Sequence, residues 1–90
     1  MKLTEKEVFD HLRNLNGWAL DKGQIHKDFI FKDFMEAIKF VNRGVPLVET
    51  MDHHPDIDIR YNKVSLSLMT HSAGGLTEKD FKLAAALDAL

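Results

Sequence analysis

Apolar residues recur at two periods along the chain, three or four apart in some stretches and two apart in others. Val8, Leu12 and Leu15 lie on one helical face, and Thr4-Glu5-Lys6-Glu7 before them has capping-box chemistry. Asn16-Gly17 is a stop signal, so the pattern predicts a helix over 5–15. Trp18 to Asp21 and Ile25 to Phe31 read as strands around a Lys22-Gly23 turn, a first hairpin over 18–32. Asp33 with Glu36 opens a second helix, whose predicted stripe is Phe34, Ile38, Val41, Val45 and Val48. Phe40, Leu47 and Met51 lie off that stripe, which fits either a wide core face or a subunit interface. Pro46 removes a helical hydrogen bond, so a kink is expected near Arg43-Gly44, with the helix resuming to about Met51.

The next segment alternates strictly. Ile57, Ile59 and Tyr61 interleave with Asp56, Asp58 and Arg60, then Val64, Leu66 and Leu68 with Ser65, Ser67 and Met69. A turn at Asn62-Lys63 sets Ile57 against Leu68, Ile59 against Leu66 and Tyr61 against Val64, so apolar meets apolar throughout. A shift of two residues either way keeps that match, and Lys is not a favoured second residue of a type I′ turn. Thr77-Glu78-Lys79-Asp80 opens a last helix, with Phe81, Ala84, Ala85 and Leu87 on one face. The order α-β-β-α-β-β-α predicts an α+β fold, a four-stranded antiparallel sheet with three helices on one face.

The paired register carries chemistry with it. Extended outward, it sets position 54 opposite 71, and neighbouring strands lie about 4.8 Å apart. His53, His54 and His71 are therefore expected at one end of the sheet. Imidazole gives and takes protons near neutrality, and several in one place suit paired acid and base work. Glu49, Asp52, Asp56 and Asp80 are carboxylates near enough to orient a ring or bind an amino-pyrimidine edge. A zinc site is the competing reading, although adjacent histidines in an extended segment point to opposite faces. His11 and His26 read as surface residues, and Trp18 as core or interface.

Composition narrows the classes. At 90 residues the chain is one domain with a modest core, for which oligomerisation is a natural source of stability. A net charge of −2, with both signs interspersed, argues against direct nucleic-acid binding. The absence of cysteine excludes disulfides and thiol chemistry. No stretch approaches the roughly 20 apolar residues of a membrane span, and the first residues do not read as a signal peptide, which is compatible with a cytoplasmic setting.

Glu49, His53-His54-Pro55, Tyr61, His71 and Asp80, at their spacing, resemble the pattern of pterin-4a-carbinolamine dehydratases. FKDF at 31–34, MDHHP at 51–55, YNKV at 61–64, THSAGGLTEKD at 70–80 and Gly17-Trp18 are also similar to that family. The resemblance spans residues 1–90 as a single domain. It implies dehydration of 4a-hydroxytetrahydropterin to quinonoid dihydropterin, a hydro-lyase step in tetrahydropterin recycling, with no metal or organic cofactor. It places the catalytic histidines at His53, His54 and His71. It sets Pro55 and Thr70 beside the pterin, with Glu49, Asp52 and Asp80 as ring-edge or supporting partners. It implies a homodimer or homotetramer, and as an alternative a dimerisation cofactor for a transcription factor, bound through the helical face of Phe40, Leu47 and Met51.

Overall fold

A computed structural model describes residues 1–90. The elements are α1 (Glu5–Leu12), β1 (Ala19–Asp21), β2 (Gln24–Ile30), α2 (Phe34–Met51), β3 (Asp56–Arg60), β4 (Lys63–Leu68), a one-turn 3-10 helix (His71–Ala73) and α3 (Glu78–Asp88). The four strands form one antiparallel sheet in the order β1-β2-β4-β3. The expected fold class and element order are therefore observed. The first helix is shorter than expected, because its last predicted residues leave the α conformation as turns after Leu12.

Each helix starts where its cap chemistry begins. In α1 the Thr4 hydroxyl accepts from the Glu7 amide at 3.2 Å, and the Glu7 carboxylate accepts from the Thr4 amide at 2.9 Å. In α2 the Asp33 carboxylate accepts from the Glu36 amide at 2.9 Å. Helical conformation is continuous through Pro46. Asn42, whose carbonyl loses its usual partner to the proline, is exposed, so water can replace the missing donor.

The buried face of α2 differs from the expected stripe. Ala37, Phe40 and Gly44 are buried, whereas Phe34 and Val45 are about half exposed. The small residues set this face. A Cβ at Gly44 would stand 3.3 Å from Leu87 Cδ2, so glycine there lets α3 approach closely. Phe40 stacks between Phe29 and Phe31, at centroid distances of 4.7 and 5.0 Å. Phe40 is thus a core residue, with Leu47 and Met51 partly buried against the same core. In α3 the buried set is Asp80, Phe81, Leu83, Ala84 and Leu87, so Leu83 takes the place expected for Ala85.

The sheet presents Ile25, Val64, Leu66 and Leu68 to the helices. Lys27 shares that face, and its charge is met there: Nζ donates to Asp88 and to the Asn16 carbonyl, both at 2.7 Å. Trp18 is buried, and its Nε1 donates to Asp88 at 3.0 Å. The second hairpin is shifted by two residues from the expected register. Ile57 pairs Leu66, Ile59 pairs Val64, and Tyr61-Asn62 makes the turn. The cause is Asn62, which clasps the end of β2. Its carbonyl accepts from the Phe31 amide at 2.8 Å, and its Nδ2 donates to the Phe31 carbonyl at 3.0 Å. Lys63 is thereby drawn into the ladder against Ile30 and Arg60. The shift is even, so the same side chains still face the core.

Candidate functional site

The C-terminus of α2 aims the histidine pair. Asp52 ends the helix in the left-handed region at φ 47°, and the His53 amide returns to the Val48 carbonyl at 3.1 Å. This turn directs His53 inward and His54 outward. His53 is buried, and its Nε2 lies 2.5 Å from Asp80 Oδ1. Asp80 is fully buried on the first turn of α3. Its Oδ2 accepts from the Thr70 hydroxyl and from the Thr77 amide, each at 2.9 Å. The Thr70 and Thr77 hydroxyl oxygens are 2.8 Å apart. No buried side-chain nitrogen or oxygen lacks a partner.

His71 follows Thr70 directly and opens the 3-10 helix, exposed. That loop is closed at its base by hydrogen bonds between Thr70 and Gly75 of 2.9 and 3.3 Å. The observed register, carried outward, sets position 53 against 70, not 54 against 71. His53 and Thr70 accordingly converge on Asp80. His54 is exposed and contacts Glu49 through Nε2 at 2.7 Å. Such an exposed pair adds little to stability and chiefly biases side-chain orientation. Asp52 is exposed, and Pro55 is half-buried.

Two concavities flank this group. One, of about 210 Å³, lies between α2 and β3, with Val45, Val48, Ile57 and Leu66 in its wall, together with Glu49, His54 and Pro55. The other, of about 530 Å³, lies between the N-terminal residues and the start of α3. It is lined by Lys2, Leu3, Thr70, Ser72, Thr77 and Lys79.

Thr77, which the sequence marks only as a helix cap, is also a hydrogen-bonded neighbour of Thr70 and Asp80. Its signal was present in the spacing to Asp80, but nothing local told that the same carboxylate would reach a histidine 27 residues away. His11 and His26, expected as surface residues, are both half-buried. His11 stacks on Phe81 with centroids 4.7 Å apart. His26 bridges Ser67 and Asp28 on the open sheet face, at 3.0 and 2.9 Å. Hydrogen bonds hold Asp28 below the ordinary carboxylate range, first from Ser65 and then from His26.

The fold and site define a small α+β sandwich in which a buried carboxylate holds a buried imidazole. Over residues 1–90 the chain matches the family described as Pterin 4 alpha carbinolamine dehydratase, and it belongs to that family. A relative from Sulfurisphaera tokodaii, provisionally named a pterin-4-alpha-carbinolamine dehydratase, is 48% identical over 89 residues, covering 99% of this chain and 96% of the relative. The crystal structure of a transcriptional coactivator/pterin dehydratase from Brucella melitensis superposes with a TM-score of 0.95 at 40% identity. It covers 99% of this chain and 97% of that one. A pterin dehydratase-like protein described as a RuBisCO assembly factor in the alpha-carboxysome has a TM-score of 0.69 at 25% identity, covering 82% and 88%.

Proposed function

We propose that the protein dehydrates 4a-hydroxytetrahydropterin to quinonoid dihydropterin by histidine acid/base catalysis. The observation that carries this reading is the match of residues 1–90 to the dehydratase family, supported by His53 held on the buried Asp80 carboxylate. The reaction breaks the C4a–O bond. An imidazolium donates a proton to the departing hydroxyl, which leaves as water. The N5 lone pair forms the new C=N bond, and a neutral imidazole or water takes the N5 proton. His53 and His71 are the acid/base pair, and His54, held by Glu49, serves binding. Pro55 and Thr70 border the pterin, with Glu49 and Asp52 at its ring edge. Asp80, fully buried, acts through His53.

A proton-transfer group contributes about 10²–10⁴-fold to rate. His53→Ala and His71→Ala are therefore each expected to lower turnover by at least about tenfold. Stopped-flow absorbance of 4a-carbinolamine decay, with and without protein, reads this directly. Full activity in both folded variants sinks the assignment.

The active form in this proposal is a homodimer or homotetramer. Val45 and Ile57 are about half exposed in the groove beside β3, an edge strand with one side unpaired. A second copy of the chain is the occupant that covers both. No helix of the structure is long and apolar enough to cross a membrane, and a cytoplasmic location is part of the same proposal. A dimerisation role toward another protein is the second reading, and the description of the Brucella melitensis protein favours it. Folded protein that binds a partner chain but leaves carbinolamine decay unaccelerated would select it.

A further inference from the structure

The hydrogen bonds around Asp80 form a chain whose proton positions can be counted. A hydroxyl has one proton to give, and an ionised carboxylate only accepts. Thr70 gives its proton to Asp80 Oδ2. The 2.8 Å contact between the two threonine oxygens must then use the proton of Thr77. Oδ2 also receives the Thr77 amide. Oδ1 is left facing Nε2 of His53. An ionised Asp80 satisfies every donor in this set, provided Nε2 carries a hydrogen. The lone pair of a neutral His53 then resides on Nδ1.

We infer that Thr70 and Thr77 are positioning residues. Through Asp80 they hold His53 as the Nε2–H tautomer and leave Nδ1 as the atom that exchanges a proton with the substrate. The catalytic part of this inference rests on the dehydratase reading above; the tautomer does not. Thr77 is also the cap residue of α3, so one side-chain constellation sets both the start of that helix and the state of the imidazole. The same arrangement assigns the Thr70 hydroxyl a duty inside the protein, so the backbone and methyl group of Thr70 are what it offers to a pterin.

Long-range ¹H–¹⁵N correlation spectra of the full chain test this, with the His53 signals assigned by their loss in His53→Gln. The neutral wild-type ring is expected to show the Nε2–H pattern. Thr70→Val keeps the shape of the side chain and removes its donor, while Thr77→Val removes the donor behind it. Both are expected to shift the ring toward a mixture of tautomers and to lower kcat by about tenfold, with KM changed less than about twofold. Thr70→Ser restores the hydroxyl and should restore both the spectrum and kcat. An Nδ1–H pattern in the wild-type protein overturns the inference, as does an unchanged ring spectrum in folded Thr70→Val or Thr77→Val. An Nε2–H pattern that responds to Thr70→Val in protein without dehydratase activity keeps the inferred geometry and removes the functional reading alone.

Discussion

Tyr61 illustrates how much a single residue can hide. It occupies the left-handed region at φ 52°, where a side chain with a Cβ costs about 1–2 kcal/mol. The cost is borne because Asn62 must reach Phe31 with both its carbonyl and its amide group. Asn tolerates the left-handed region better than Tyr. Since the Tyr61 side chain is exposed, Tyr61→Asn is expected to stabilise the protein by about 0.5–1 kcal/mol, read as a higher urea midpoint at unchanged slope. An unchanged or lower midpoint would show that the turn is not strained. Alternation in the two strands allowed three registers, and a contact with a third strand chose among them. That contact was not legible from the hairpin alone. His53 meets Asp80 inside the fold while His54 and His71 are exposed, and this division depends on a long-range meeting that no local spacing encodes.

Elements were legible where their information is local. All three cap sequences start helices, and Lys22-Gly23, both at positive φ, makes the expected turn of the first hairpin. Faces were less legible, because Ala37 and Gly44 are small enough to vanish from an apolar stripe yet are buried, and Gly44 sets how closely α2 meets α3. The α1 cap also makes a prediction about pH. Glu7 is held below the ordinary carboxylate range, chiefly by the Thr4 amide and then by the Thr4 hydroxyl. A group lowered in the folded state favours folding when ionised. Its contribution is complete above about pH 4.3, the ordinary glutamate value, and is lost as pH falls through the lowered one. Glu7→Gln keeps an acceptor for the Thr4 amide but removes the titration. Its stability should therefore fall less steeply than that of the wild type below about pH 4.3 in urea unfolding. Parallel curves for the two proteins would count against a role for the ionised cap.

For the molecule as a whole, the balance of core and surface decides the assembly. Only 18 of 90 residues are buried, so the isolated chain draws limited stability from its own interior. Meanwhile Val45 and Ile57 stand about half exposed along a groove that ends at the unpaired side of β3. A partner that binds only the folded chain stabilises it by mass action, so stability should rise with protein concentration. The wild-type Tm is therefore expected to increase on concentrating the protein, and sedimentation should give a mass above the 10.3 kDa of one chain. Val45→Asp places a charge in the groove at a helix position that is already half exposed, so the single chain should tolerate it. In the assembly that charge would be buried without a partner, at a cost of several kcal/mol. The variant should sediment as a single chain, with a Tm independent of concentration. A wild-type protein that sediments as one chain at every concentration would remove the second copy from the groove. Its half-exposed apolar residues would then belong to the isolated fold.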